Sequence, residues 1–188
     1  SLHDALPISQ VFQPPYYLTL QMPGMKEPAF SLTTTFAPQR RQTLAAFMSV
    51  DSAPGPEYGK MRVLQLPSNT TIPGPQQVQN NFESDPTVAS QLSLLRRGGS
   101  DVELGNLLSL PVAGGVLYVE PVYVRATSGE GFPLLQKVLV GYGSKVAMRD
   151  TLAQALTDVF EGAPVTPPDN GNGNGNGGTP TPTPSPGG

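Results

Sequence analysis

The sequence contains no cysteine and only one histidine, His3, which lies close to its first residue. The absence of cysteine excludes disulfides, thiolate nucleophiles and cysteine-ligated metal sites. Because His3 lies in a segment that continues no pattern of the rest, a Ser-His-Asp triad, histidine acid–base chemistry and histidine-ligated zinc all lack their central residue. We therefore predict no catalytic residue, no metal site and no cofactor, and we expect a protein that is not an enzyme.

Charged residues are also scarce, at 13% of the chain, which is about half of the usual ~25%. The formal net charge is -3, so no broad basic face is available for nucleic acid or for an anionic membrane surface. The apolar content of 37% is low because the chain has 22 proline and 21 glycine residues, many of them near its C-terminal end. We expect one core, built from roughly 150 residues, and no nucleic-acid partner.

Long apolar runs are missing as well. Three uncharged stretches, 5–25, 63–82 and 104–119, approach the ~18–20 residues that span a bilayer, but proline, glycine and amide residues interrupt each of them. The N-terminal region also lacks the basic segment and apolar run that make a signal peptide. The sequence therefore predicts no membrane span in this piece of chain.

The most informative stretch contains two apolar runs, 116–125 and 134–142, joined by a loop rich in glycine. The first run is rich in Val, Tyr and Leu, and it is largely apolar at both its even and its odd positions. This pattern is typical of a strand that is covered on both faces. We predict that the two runs form a long hairpin at the centre of the fold.

The remaining periodic segments predict further strands and helices. Short strands are predicted at 16–21, 44–50, 62–66 and 102–110. The segment 30–36 is predicted as a short strand or an extended loop, and 145–148 as a further extended piece. A helix follows Pro75, and a second helix begins after the N-cap Asp85 and ends at Gly98, which suits a left-handed cap. A last helix begins near Thr151 and ends at Gly162.

These elements predict an α+β fold, in which a single domain at 10–162 combines a mostly antiparallel sheet with about three helices. Residues 1–9 lack an initiator methionine, and we interpret them as a scar or fragment boundary, with a native loop as the alternative. Residues 163–188 are rich in Pro, Gly, Asn and Thr and predict a disordered tail, because they have almost no apolar surface to bury.

Carboxylates are the remaining candidates for chemistry. Asp101 and Glu103 lie two residues apart on one predicted strand face, and Glu120 lies among apolar residues of the next strand, so a carboxylate pair for glycoside hydrolysis is conceivable. The plainer interpretation is a strand-end carboxylate paired with Arg125 or Lys137, and the spacing resembles no calcium loop. A pocket lined by Glu120 with Asp101 or Glu103 favours catalysis, whereas salt-bridged or solvated carboxylates on a flat surface favour a non-catalytic domain.

Three other patterns are weak. The segment 141–146 begins like a dinucleotide turn but has Val146 at the third glycine position, so we predict a tight turn or bulge. The two pairs of adjacent arginines, 40–41 and 96–97, predict surface or helix-end charges, with an anionic lipid or cell-wall polymer as the alternative ligand. Four tyrosines are candidates to line a polysaccharide groove, although buried strand aromatics are commoner: Tyr16, Tyr17, Tyr118 and Tyr123.

Several strings of the sequence are similar to one known protein family. They are the segments 37–49, 58–67, 72–82, 92–96 and 114–124. Together they resemble the C-terminal end of uncharacterised protein family 0182, a family of large bacterial membrane proteins, across roughly Val11 to Glu161. The match is specific as a string but contains no recognised catalytic motif, so no functional residue carries over.

The resemblance implies that this chain is a piece of a larger protein with several N-terminal membrane spans and a long extracytoplasmic region, of which it forms the last portion. The expected location is the cell membrane of the parent protein, with this portion extracytoplasmic. The expected partners are the rest of the parent protein and components of the cell envelope.

Two functions are therefore carried forward. The leading hypothesis is a non-enzymatic extracytoplasmic domain with a structural or partner-binding role, and it predicts an exposed apolar patch where the rest of the parent docks. The alternative is a cell-envelope module that binds polysaccharide or hydrolyses it with carboxylates such as Glu120.

Overall fold

A computed structural model describes residues 14–38, 42–97, 100–126 and 131–160. The elements follow the chain in this order: β1 Tyr16–Leu20, β2 Ala29–Phe36, β3 Ala46–Asp51, β4 Met61–Gln65, α1 Pro75–Ser84, α2 Pro86–Arg96, β5 Ser100–Leu104, β6 Leu108–Val112, β7 Gly115–Ala126, β8 Leu134–Tyr142, β9 Lys145–Arg149 and α3 Leu152–Val159. The suspected scar, the Arg40–Arg41 pair, Gly98 and the predicted tail lie outside the described residues.

The expectation of an α+β fold is wrong, because the described ranges are built mainly of antiparallel strands. They contain nine strands in two sheets, whereas the three helices have only 10, 11 and 8 residues. Sequence periodicity located these helices correctly. Helices this short, however, are too small a part of the described ranges to make the fold α+β. The mostly antiparallel pairing was predicted correctly, and the fold is mainly β.

The first sheet is a meander in the order β1-β2-β3-β4, so each strand pairs with its neighbour in sequence. The second sheet is centred on β7, which pairs with β8 along one side and with both β5 and β6 along the other, while β9 extends the sheet beyond β8. The predicted central hairpin is therefore confirmed as the pair β7–β8.

The predicted single strand 102–110 is wrong, because the chain breaks there into β5 and β6. A Cβ added at Gly105 would lie 2.5 Å from Cγ of Pro121, so this position accepts only glycine without a shift of the neighbouring strand. The Gly105 amide donates a hydrogen bond to the Pro121 carbonyl at 2.8 Å. Pro111 lies within β6 rather than ending it, which an edge strand tolerates because one side needs no N–H donors.

Both faces of the second sheet are covered by helices of the same chain. On one face, Tyr118, Val122 and Leu139 join the cluster that Val78 and Phe82 of α1 complete. On the other face, Ala155 and Val159 of α3 pack in a cluster with the sheet residues Leu117, Val138 and Val140. The prediction that the central strand is buried on both sides is confirmed.

Local signals set the helix starts and one tight turn. The side chain of Asp85 accepts hydrogen bonds from the amides of Thr87 and Val88 at 2.9 and 3.0 Å, which confirms the predicted N-cap of α2. Arg96 lies in the last turn of this helix, as predicted. Gly143 has a φ of 59° in the tight turn between β8 and β9, and Gly141 lies within β8, paired with Val146, so the segment 141–146 is a hairpin and not a dinucleotide site.

Two short paired segments, 42–44 and 72–74, which we call the clasp, join the two sheets. The segment before β3 pairs with the segment before α1, because Leu44 donates to the Ile72 carbonyl at 2.8 Å and Gly74 donates to the Gln42 carbonyl at 2.7 Å. The buried Tyr118 of β7 donates its hydroxyl to the Pro73 carbonyl at 2.6 Å. The central strand of the second sheet therefore holds the chain at the point where it leaves the first sheet.

Candidate interaction surface

The first sheet carries its polar residues on its buried face. Strand register places Ser31, Thr33, Ser49 and Asp51 on one side of the sheet, together with the buried Phe47. The four polar residues are at most 5% exposed. The opposite side, which we call the outer face, is formed by the alternate positions of the same four strands: Tyr17, Thr19, Phe30, Leu32, Thr34, Phe36, Ala46, Met48, Val50, Met61, Val63 and Gln65.

The outer face is uncharged along its whole width, and nine of its twelve positions are apolar. The register aligns Tyr17, Leu32, Val50 and Met61 in one row that crosses all four strands. Tyr17 is 60% exposed, Met61 is 61% exposed and Val63 is 58% exposed. The rings of Tyr17 and Phe30 stack at a centroid distance of 5.2 Å with 9° between their planes. The exposed apolar patch that the leading hypothesis predicts is therefore present.

Local hydrogen bonds satisfy most of the polar inner face. Thr33 donates its hydroxyl to the Tyr16 carbonyl at 2.9 Å, and the Asp51 carboxylate accepts from the Ala53 amide at 3.1 Å. Arg62 bonds Glu57 at 2.9 Å and approaches the Asp51 carboxylate at 3.9 Å. These contacts give the buried polar groups of Thr33 and Asp51 partners on the inner side, while the apolar side chains of the same strands face outward.

The structure does not bring the three candidate carboxylates together. Asp101 and Glu103 pair in register with Arg125 and Tyr123, so they share the face formed by the odd-numbered positions of β7. Glu120 is an even position of β7 and faces the opposite side, towards α1. Glu103 forms an ion pair with Arg125. This arrangement leaves no pair of carboxylates on either side of a common substrate.

Glu120 is buried, with 2% of its surface exposed. Its Oε1 accepts a hydrogen bond from Nε2 of Gln79 on α1 at 3.5 Å, the long limit for such a contact. Burial raises the pKa of the Glu120 carboxyl, and the nearby Glu83 carboxylate raises it further against the lowering effect of Gln79. The expected pairing of a strand carboxylate with Arg125 is confirmed for Glu103. Glu120 bonds Gln79 instead, and Lys137 pairs with Asp150.

The four candidate tyrosines do not line a common groove. Tyr16 and Tyr17 are neighbours on β1 and therefore point to opposite faces of the first sheet. Tyr118 is fully buried beneath the clasp, and this desolvation raises the pKa of its hydroxyl well above the ordinary value. Tyr123 contacts the β5–β6 break, where its ring lies 3.0 Å from the Cβ position of Gly105.

The two best-formed depressions among the described residues do not involve Asp101, Glu103 or Glu120. One has a volume of about 190 Å³ and lies between the start of α2 and β9, where Asp85, Gln91, Arg149 and Asp158 line it. The other has about 200 Å³ and lies at the end of the first sheet beside Thr43. Both are smaller than the roughly 300–1,000 Å³ of typical ligand pockets.

The described ranges contain neither a cluster of metal-ligating side chains nor a helix that could cross a membrane. No group of three or more acidic, histidine or cysteine side chains within them is arranged to hold a metal ion. None of their helices combines the length and the apolar character that a membrane crossing requires. The outer face is the candidate functional surface of the described chain.

Sequence comparisons identify one group of related proteins. The model of the family described as "Uncharacterised protein family (UPF0182)" matches residues 4–95, a range that includes the whole first sheet and α1 and stops before the second sheet. A UPF0182 protein of Leifsonia xyli subsp. xyli is 57% identical over 162 residues, which are 80% of this chain and 16% of that protein. No solved structure matches the chain.

Relatives in other bacteria give the same picture. A UPF0182 protein of Streptomyces coelicolor is 53% identical over 163 residues, covering 84% of this chain and 16% of the relative. A UPF0182 protein of Clavibacter michiganensis subsp. michiganensis is 51% identical over 183 residues, covering 85% of this chain and 19% of the relative. The chain thus spans less than a fifth of the length of these relatives, and the similarity extends well beyond the segment that the family model covers.

Proposed function

Because the chain belongs to the uncharacterised protein family UPF0182, we propose that it is a non-catalytic domain of a larger bacterial protein, with a structural or partner-binding role. One observation carries the proposal. The row of Tyr17, Leu32, Val50 and Met61 crosses a whole sheet without a charge and faces outward. An exposed apolar surface of this kind is typical of an interaction site.

The sequence resemblance extends the proposal to a location. The parent is a membrane protein, and this domain forms its C-terminal, extracytoplasmic portion, in contact with the rest of the parent and with components of the cell envelope. Phe132 is 88% exposed, and the chain has no cysteine, so Phe132→Cys gives this chain a single accessible thiol. In intact cells that make the complete protein with its other cysteines removed, we expect a membrane-impermeant maleimide to label this thiol. Labelling only after lysis would contradict the extracytoplasmic location.

Charges placed on the outer face test the interaction itself. In the isolated chain, Val63→Asp changes an exposed side chain, so we expect the free energy of unfolding to move by no more than about 0.5 kcal/mol. In the complete protein we expect the same substitution to reduce the protease-resistant amount several-fold. Leu94→Asp on α2 is the matched control, because Leu94 is 57% exposed and lies outside the outer face.

Equal behaviour of the two aspartate variants in the complete protein would count against a role for the outer face. Loss of stability in the isolated chain would have a different meaning, since it would show that Val63 contributes to the fold of this domain itself. Urea unfolding of both isolated variants, followed by circular dichroism, separates these outcomes.

A polysaccharide-binding module is the second candidate, and the exposed stacked rings of Tyr17 and Phe30 favour it. An aromatic pair on a flat sheet offers an apolar platform with a polar hydroxyl at its edge. Calorimetric titration with purified cell-wall polysaccharide tests it, and binding that is lost in Tyr17→Ala supports it. Carboxylate-dependent hydrolysis has less support, because Glu120 and the Asp101/Glu103 pair lie on opposite faces of the second sheet.

A further inference from the structure

The size of the outer face limits what can bind it. Four strands spaced about 4.8 Å apart, each with about five residues rising ~3.3 Å per residue, give a surface on the order of 300 Å². Separate proteins that form a stable complex bury about 800 Å² on each partner. The outer face alone therefore offers less area than a stable complex of two separate proteins usually buries.

This area requirement does not apply to an occupant that belongs to the same polypeptide. A segment of the same polypeptide is presented at a high effective concentration, in the millimolar range for a short flexible link, so a small contact suffices to keep it in place. The curated relatives are more than five times as long as the region that they share with this chain, which occupies 16% of the Leifsonia xyli protein and 16% of the Streptomyces coelicolor protein. Ample polypeptide thus exists in the family to supply the occupant.

The chemistry of the outer face defines the occupant further. No position of the face carries a charge in any of its four strands, and the central row is aliphatic apart from Tyr17. A charged or strongly polar segment would leave its groups without partners here, at an unfavourable free energy. The occupant must present aliphatic or aromatic side chains over a width of four strands.

We infer that the outer face is covered by an apolar face of another segment of the same family polypeptide, in an intramolecular contact that completes the first sheet. This inference rests on the proposed function and deepens it, since it names the partner of that surface. A second copy of the chain, a lipid surface and a separate protein are the competing occupants.

The absence of cysteine from the chain gives a direct test. Val63→Cys places a unique thiol on the outer face, and Leu94→Cys places a unique thiol on α2. The native side chains at these two positions are 58% and 57% exposed, so the two sites are matched. Each variant is prepared as the isolated 188-residue chain and within a complete family protein, namely the Leifsonia xyli protein with its matching segment replaced by this chain and its other cysteines removed. The rate of maleimide modification is then measured for all four proteins.

We expect both thiols to react at similar rates in the isolated chain. In the complete protein, purified in detergent, we expect modification at Val63→Cys to be slower by about tenfold or more, because a tethered contact keeps the face closed most of the time. Modification at Leu94→Cys should change little. Protection that is independent of protein concentration marks the contact as intramolecular.

Each other outcome overturns the inference. Equal reactivity of the two thiols in the complete protein shows an uncovered face. Protection of Val63→Cys that grows with concentration, in either protein, assigns the face to a second copy. Protection of the isolated chain by vesicles of phosphatidylethanolamine and phosphatidylglycerol, without protection in the detergent-purified complete protein, assigns it to lipid.

The same experiment separates failure of the inference from failure of the proposed function. Protection by a second copy or by vesicles leaves the outer face as an interaction surface and changes only its occupant. Reactivity of Val63→Cys that stays equal to that of Leu94→Cys in every preparation, and also in membranes isolated from cells that make the complete protein, removes the interaction surface, and the proposed function fails with it. Circular dichroism spectra that match the parent chain confirm that each cysteine variant is folded.

Discussion

The two sheets of this chain bury their apolar residues in opposite ways. The second sheet is covered on both faces by helices of the same chain, and its central strand contributes the fully buried Tyr118 and Val122 to one of the two cores. The first sheet turns polar residues such as Ser31 and Asp51 inward and leaves its apolar outer face open. The family model covers the open sheet and ends at residue 95, before the covered one begins.

The difference separates two roles for apolar surface within one chain. In the second sheet, apolar burial supplies the stability of the domain, because removing this area from water is the main favourable term in folding. In the first sheet, hydrogen bonds and the small Leu20–Met22–Phe47 cluster hold the strands, and much of the apolar outer face stays exposed. Under the proposed function, stability and interaction therefore depend on different sheets.

The largest expected effect tests this separation in the core of the second sheet. Leu139 is 0% exposed, so Leu139→Ala should lower the free energy of unfolding of the isolated chain by about 3 kcal/mol through lost burial and a residual cavity. Val63→Ala on the outer face should change it by less than about 0.5 kcal/mol. Urea denaturation measures both free energies. Comparable losses at the two sites would contradict the claim that stability depends on the second sheet and not on the outer face.

A smaller effect concerns the clasp between the sheets. Tyr118→Phe removes the hydroxyl that bonds the Pro73 carbonyl at 2.6 Å and leaves that acceptor buried without this donor. We expect a loss of about 1–2 kcal/mol in the free energy of unfolding. Tyr58→Phe is the control, since Tyr58 is 69% exposed and should show no loss. Hydrogen exchange would sharpen the comparison by showing which sheet opens first.

The smallest effect depends on pH and involves Glu120. Its pKa in the folded chain is raised above the ordinary 4.5 by burial, so between the two values the folded state binds more protons than the unfolded state. The free energy of unfolding should therefore fall as pH rises from about 4.5 through the folded pKa, and then level off. Chemical denaturation over this range measures the slope.

Glu120→Gln should abolish most of this slope and raise the free energy of unfolding at pH 7 by about 1 kcal/mol, because a neutral amide is easier to bury beside Gln79 than a carboxylate. Glu83→Gln is the control, since Glu83 is exposed and only adjacent to the buried group. A wild-type chain whose stability rises with pH in this window would contradict the assignment.

Most element positions were predictable from sequence, because strand alternation, Pro75 and the Asp85–Pro86 cap are local signals. The break between β5 and β6 was not, because it depends on the contact of Gly105 with Pro121 in another strand. Glu120 stands out in the sequence as a carboxylate among apolar strand residues. Its partner Gln79 lies 41 residues away on α1, and sequence spacing carries no information over that separation.

The outer face shows a different kind of limit. Alternation in β2 and β3 indicates that the two sides of each strand differ, with Leu32, Met48 and Val50 on one side and Ser31 and Asp51 on the other. It does not indicate which side is covered, because the covered side is mixed: Ser31 and Asp51 are buried there together with Phe47. Only the tertiary arrangement, which buries the polar side, could establish this orientation.

The clasp at 42–44 and 72–74 also makes the intervening hairpin of β3 and β4 a ring closed at its base. The tip of this ring, around Gly55 to Tyr58, is exposed, so added residues there would lengthen the ring without parting its ends. An epitope or a fluorescent label inserted at that tip would report on the chain in living cells while leaving both sheets joined.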